Sequence, residues 1–291
     1  MTSPNSASPP GTEVSITGTR VPQLGFGTWL LYGEAATEAI ADAVKVGYRH
    51  IDTARGYENE RRVGAALATT QIARSDLFIT TKILLSGRDH PIPGAIGYKP
   101  GLISWLLDDS IANLQLEQVD LLLLHWPNPG LPLNAVLREM ASSIEDGRVR
   151  HIGVSNFTPN MLERACDIAP IFCNQVEYHV YLSQDRSLEV ARARDVLTTA
   201  YKPLANGKAA ADPVLARIGQ QYRKTAGQVA IRWLIDQPLV ATIPSGPTAD
   251  WRRENFDVFD FTLSESDRDE IAALPKNMRL ARPSWEPDWA R

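Results

Sequence analysis

The chain has 291 residues, 44% of them hydrophobic, enough to bury a large core as one barrel or as two ordinary domains. A formal net charge of -4 lacks the basic excess of a nucleic-acid binder, and two cysteines are too few for a disulfide framework and lack the paired spacing of a metal site. These bounds point to a cytoplasmic protein acting on a small molecule, with no nucleic-acid or membrane partner, because no apolar run is long enough to span a bilayer.

The start of the chain, rich in Ser and Pro and without a basic or apolar segment, reads as a disordered tail over 1–12, with 13–291 as one folded unit. Val14-Ser-Ile-Thr and Arg20-Val-Pro-Gln-Leu24, on either side of Gly18, predict a β-hairpin that plugs one end of the fold. Short apolar runs then alternate with helix-period segments. The strands are expected at Leu24 to Gly27, Tyr48 to Asp52, Leu77 to Lys82, Val119 to His125, Val149 to Ser155, Phe172 to Glu177, Val196 to Lys202 and Leu239 to Pro244. Helices are expected between them, from Ala35 to Val46 through Asp185 to Arg194, with two, Pro213 to Tyr222 and Thr225 to Asp236, before the last strand. Thr158 and Pro159 have the residue types of an N-cap and first helical position.

Eight strand-helix units without a linker predict an α/β fold of the (β/α)8 TIM-barrel type with an N-terminal β-hairpin cap. The rival is a doubly wound dinucleotide domain, which needs G-x-G-x-x-G after its first strand. Gly25-Phe-Gly27-Thr-Trp-Leu30 lacks the third glycine.

In a barrel, functional groups gather at the C-terminal strand ends. Asp52, Lys82 and His125 fall there, and Tyr57 follows Asp52 closely. A phenol beside an ammonium can transfer a proton to a carbonyl oxygen. Opposite charges about 4 Å apart in an effective dielectric near 20 gain about 4 kcal/mol, which predicts that Lys82 outweighs burial and pulls the phenol below its usual value near 10. Asp52 would keep Lys82 charged, and His125 would orient the substrate oxygen. Ser155, Asn156 and Gln175 offer amide and hydroxyl groups for a nicotinamide carboxamide, and Tyr201 a face to stack on the ring.

The run Gly47-Tyr-Arg-His-Ile-Asp-Thr-Ala-x-x-Tyr-x-Asn-Glu60, with Asp120-Leu-x-Leu-x-His125-Trp-Pro and Ile152-Gly-Val-Ser-Asn-Phe157, resembles the motifs of the aldo-keto reductases, and the resemblance extends from Val21 to Trp289. The ending Pro283-Ser-Trp-Glu-Pro-Asp-Trp289 is similar to that of bacterial 2,5-diketogluconate reductase-like members. The resemblance implies reduction of aldehyde or ketone carbonyls by NAD(P)H, with Asp52, Tyr57, Lys82 and His125 as a catalytic tetrad and Tyr57 as proton donor. It also implies that Gly27, Thr28 and Trp29 border the nicotinamide or substrate, and that Leu204, Ser245, Gly246, Glu254 and Asn255 line the rest of the cofactor. The alternative is a cofactor-binding, redox-sensing regulatory subunit with little turnover. Monomer or weak oligomer is the family's habit.

Departures from the pattern carry their own expectations. NADP(H) is the family default, yet Ser245 through Trp251 holds none of the basic residues that clamp a 2′-phosphate, so NAD(H) stays open unless Arg252 or Arg253 reaches back. Lys202 stands where a serine is usual and is a candidate contact to the pyrophosphate. The loop after Lys82, over 83–98, is long and carries Arg88 and His90 as candidate anion contacts. Trp29, Trp126 and Trp285 are candidate substrate walls.

Overall fold

The computed structural model describes residues 12–85, 97–128, 130–284 and 286–289. The chain opens on an antiparallel hairpin, β1 (Glu13–Ile16) and β2 (Thr19–Pro22), turned by Thr17 and Gly18 with φ of 45° and 82°. Thr12, placed by the sequence in the tail, is buried and its carbonyl accepts from Gln23 N at 2.9 Å.

Eight parallel strands follow: β3 (Gly25–Gly27), β4 (His50–Asp52), β5 (Phe78–Ile83), β6 (Val119–Leu124), β7 (Val149–Ser155), β8 (Ile171–Glu177), β9 (Leu197–Tyr201) and β10 (Val240–Thr242). Each pairs with its successor in the chain. A parallel bridge from Leu24 to Thr242 joins β10 to the start of β3, with Thr242 N donating to Gln23 O at 2.7 Å and Gly27 N to Pro244 O at 3.1 Å. The sheet thus closes into a (β/α)8 barrel, as expected.

The helices α1 (Gly33–Val46), α2 (Glu60–Thr69), α3 (Leu102–Leu114), α4 (Leu133–Glu145), α5 (Pro159–Ile168) and α6 (Asp185–Ala193) each link two successive strands. Two more, α7 (Pro213–Tyr222) and α8 (Ala226–Ile235), precede β10, while α9 (Ala249–Phe256) and α10 (Glu265–Ala272) follow it. Local chemistry starts them: Thr158 caps α5 with Pro159 in its first turn, Asp212 caps α7, and Thr225 with Gln228 forms a capping box on α8.

The strands are apolar throughout because both faces are covered. In β6, Leu122 and Leu124 belong to the large cluster between the sheet and the helices, while Leu121 and Leu123 pack with Phe78, Phe172 and Leu197. That second cluster includes Ile16 and Val21 of the hairpin, which therefore plugs the end of the barrel opposite the C-terminal strand ends. Among the described residues no helix is long and apolar enough to cross a membrane.

Candidate active site

Strand alternation brings Asp52, Lys82 and His125 to one end of the barrel. Lys82 is fully buried, and its Nζ lies 2.5 Å from Asp52 Oδ1 and 2.8 Å from Thr53 O. The remaining ammonium contact is Tyr57 Oη at 3.3 Å, presented by the short 3-10 turn Arg55–Tyr57 that follows β4. Gln175 reaches over from β8 and donates Nε2 to Asp52 Oδ2 at 2.7 Å, so the carboxylate is held by two elements. His125 completes the group, its ring edge-on to Tyr57 with centroids 5.7 Å apart.

Electrostatics corrects one expectation. Burial raises the Tyr57 phenol above its usual value, and Lys82 pulls the other way without prevailing. Two features explain this: the Lys82 charge is already satisfied by Asp52 at close range, and the Asp52 carboxylate itself disfavours phenolate. Burial works against the Lys82 charge as well, but Asp52 and Tyr57 outweigh it, so the ammonium titrates above its ordinary value. Burial, helped by Lys82, pushes His125 down to about 3, which keeps the imidazole neutral. The arrangement holds a protonated phenol, a charged ammonium and a neutral imidazole around one point.

That point is the inner end of a cleft of about 720 Å³. Asp52, Tyr57 and His125 line it, with Trp29 and Trp126 as apolar walls, while Lys82 lies behind them. Next along the barrel rim, Ser155, Asn156, Gln175 and Tyr201 form a bonded set. Tyr201 Oη donates to Asn156 Oδ1 at 2.7 Å, Asn156 Nδ2 donates to His125 O and Ser155 Oγ, and Ser155 Oγ donates to Gln175 O. Asn156 takes a left-handed φ of 63° to do so, a conformation that asparagine tolerates better than most residues.

Farther out the cleft is bordered by Lys202, Leu204, Ser245, Glu254 and Asn255. Lys202 Nζ lies 4.3 Å from the Trp29 ring centroid and 3.1 Å from Asn206 Oδ1, and it is the cleft's cation at this end. Glu254 accepts from Thr225 Oγ1 at 2.8 Å, and Asn255 Nδ2 donates to Ser245 O at 3.2 Å. Gly27 borders the cleft where the barrel closes, and a Cβ there would lie 2.7 Å from Ile243 O. Thr28 and Gly246 are not on the cleft surface: Thr28 is fully buried, and Gly246 packs against Arg252. Trp285, Arg88 and His90 lie outside the described residues.

The two arginines point elsewhere. Arg252 pairs with Asp42 of α1 at 2.6 Å and donates to Gly246 O and Pro247 O; Arg253 pairs with Asp250 and borders a separate hollow with Phe256 and Phe259. Sequence reasoning passed over several residues that line the cleft, chiefly Trp251, Asn206 and Ala281. Trp251 carried a visible signal, a large aromatic in the first turn of a helix, and its side chain is exposed. A nicotinamide dinucleotide fits this cleft: His125, which lines it, has a buried Nδ1 without a hydrogen-bond partner among the described residues, and the side chains of Asn156 and Gln175 give the same wall an amide-rich lining.

Comparison with known proteins is consistent across sequence and structure. The profile of the Aldo/keto reductase family matches residues 23–276. The methylglyoxal reductase DkgA of Escherichia coli (strain K12) is 39% identical over 270 residues, covering 90% of this chain and 93% of that protein. The glyoxal reductase of Bacillus subtilis (strain 168) is 35% identical over 266 residues, covering 90% and 92%. A solved structure named provisionally as a 2,5-diketo-D-gluconic acid reductase B superposes with a TM-score of 0.90 at 38% identity, covering 96% of this chain and 97% of that one.

Proposed function

From the premise that this chain belongs to the aldo/keto reductase family, and is therefore an oxidoreductase that reduces carbonyl groups, we propose that it acts on small 2-oxoaldehydes of the glyoxal and methylglyoxal kind, with Tyr57 as proton donor. The observation that carries this reading is the Tyr57 hydroxyl, 3.3 Å from a lysine that Asp52 keeps charged, at the inner end of the cleft.

The family uses NAD(P)H, and the nicotinamide, when bound, supplies hydride. The chain supplies the rest. Neutral His125 donates a hydrogen bond to the carbonyl oxygen and orients it, so the carbon faces the hydride source. Tyr57 gives its proton to that oxygen as negative charge develops there, and Lys82 stabilises the phenolate left behind. Asp52 holds the ammonium in place and charged throughout. Trp29 and Trp126 give the substrate an apolar wall beside the reacting groups.

For the cofactor, the reading is acceptance of NAD(H) alongside NADP(H). Its support is that Arg252 is spent on Asp42 and two carbonyls, that Arg253 turns away with Asp250, and that Ser245, Trp251 and Glu254 offer no positive charge for a 2′-phosphate. Lys202 is then the group that meets the pyrophosphate.

The test is direct. Purified protein is expected to oxidise both NADH and NADPH in the presence of methylglyoxal, with fluorescence-titrated affinities for the two within about tenfold, or about 1.4 kcal/mol. Failure to turn over methylglyoxal or glyoxal with either cofactor would remove the substrate assignment, and an NADPH advantage of about a hundredfold or more would show that a base reaches the 2′-position after all.

A further inference from the structure

The catalytic tyrosine sits on a turn, not on a strand, and something must fix that turn. Tyr57 N donates to Ala54 O and Glu58 N to Arg55 O, but residues Arg55–Tyr57 are only partly buried, and Glu58 closes the turn with a left-handed φ of 57°. The hydroxyl meets Lys82 at 3.3 Å, the long end of hydrogen-bond geometry, so a displacement of less than 1 Å would break the contact.

The Arg55 side chain ties this turn to α3. Its side chain is only 19% exposed, and its guanidinium makes a 2.9 Å ion pair with Asp109 and lies 5.6 Å from the centroid of the Trp105 ring. Asp109 and Trp105 are one helical turn apart on α3. That helix is itself well fixed: Ser104 N donates to Glu139 Oε1 of α4 at 3.1 Å, and Arg148 donates to Ser104 Oγ at 2.7 Å and pairs with Asp108 at 2.9 Å. At the far end, α2 meets α3 so closely that a Cβ on Gly64 would lie 2.5 Å from Leu114 O. Arg55 does not border the cleft, so contact with substrate or cofactor is not its role.

We propose that Arg55 is a positioning residue, clamping the Arg55–Tyr57 turn to α3 through Asp109 and Trp105 so that the Tyr57 hydroxyl stays on Lys82. A planar guanidinium that both pairs with a carboxylate and packs on an indole restrains direction as well as distance, which a flexible ammonium does less well. This rests on Tyr57 being the proton donor.

The experiment compares Arg55→Met, Arg55→Lys and Asp109→Asn, alone and combined with Tyr57→Phe, in NADH oxidation by methylglyoxal. Arg55→Met and Asp109→Asn are expected to lower kcat by about 10- to 100-fold, the range a misplacement near 1 Å produces, with KM and cofactor affinity within about threefold. Arg55→Lys should recover part of the loss. Added to Tyr57→Phe, Arg55→Met should lower kcat no further, because the hydroxyl it positions is gone. The proposal is overturned if Arg55→Met and Asp109→Asn keep kcat within twofold, or if they fall equally in the Tyr57→Phe background, which marks a general structural role. Asp109 is 39% exposed, so Asp109→Asn keeps the test open should Arg55→Met fail to fold. Full activity of Tyr57→Phe alone would instead sink the proton-donor reading.

Discussion

Tyr57 and His125 are both driven toward their neutral forms, and that decides how the rate depends on pH. Burial raises the phenol against the pull of Lys82, and burial with Lys82 pushes the imidazole down to about 3. With Tyr57 as the proposed proton donor, kcat for reduction is expected to be flat from about pH 5 to about pH 9 and to fall only as pH climbs past the ordinary phenol value near 10. Alcohol oxidation needs phenolate and should rise with pH over the same span. Steady-state profiles in both directions check this, and a reductive limb with a midpoint near pH 7 would contradict it. The identities of Asp52, Tyr57, Lys82 and His125 as a group were legible because strand ends of a barrel converge. The direction of the phenol shift was not, because it depends on how completely Asp52 has already satisfied Lys82, a distance no sequence contains.

At the scale of elements, the C-terminal segment is held by backbone bonds such as Met278 N to Tyr181 O at 2.9 Å and, nearer the cleft, by one carboxylate. Glu177, at the end of β8, accepts from Leu280 N and Ala281 N at 2.7 Å each and from His179 Nε2 at 3.0 Å, and Ala281 borders the cleft. Burial would raise the Glu177 carboxyl, but the bonds from His179 and from the Ala281 and Leu280 amides prevail and hold it below its usual range. A carboxyl depressed in the folded state stabilises fully above its unfolded value near 4.3, and that contribution is lost as pH falls through the lower folded value. Glu177→Gln is therefore expected to cost about 1.5–3 kcal/mol at neutral pH, to flatten the acid-side loss of stability, and to raise KM more than kcat as the segment loosens. Denaturation midpoints across pH, with kinetics at pH 7, measure all three; unchanged stability and KM would mean the segment is held by other contacts.

Elements also differed in how well the sequence announced them. The strands were plain, since parallel strands covered on both faces read as runs such as Leu121 to Leu124. The helix α10 was not, because Glu265–Ala272 is mostly charged and only Asp267 and Ile271 are buried. Arg252 and Arg253 illustrate a subtler limit. Helical phase puts Trp251, Glu254 and Asn255 of α9 on the cleft, so Arg252 faces Asp42 of α1 and Arg253 faces outward, and a count of nearby bases does not reveal that rotation.

For the whole molecule, the barrel separates support from chemistry. The hairpin and the inward residues of the strands fill one end, and the polar groups crowd the other, tied across the interior by the Gln175 to Asp52 hydrogen bond. That division is why periodicity could foretell both architecture and site, while residues outside the strand-end pattern, such as Trp251 and Arg55, emerged only from the folded chain. The central claim is that the molecule reduces carbonyls by protonation from Tyr57. It is tested most directly by Tyr57→Phe, measured as NADH oxidation with methylglyoxal beside fluorescence titration of the cofactor. The account predicts near-native cofactor affinity with kcat reduced by about two or more orders of magnitude. Turnover within about threefold of the unaltered protein would contradict it.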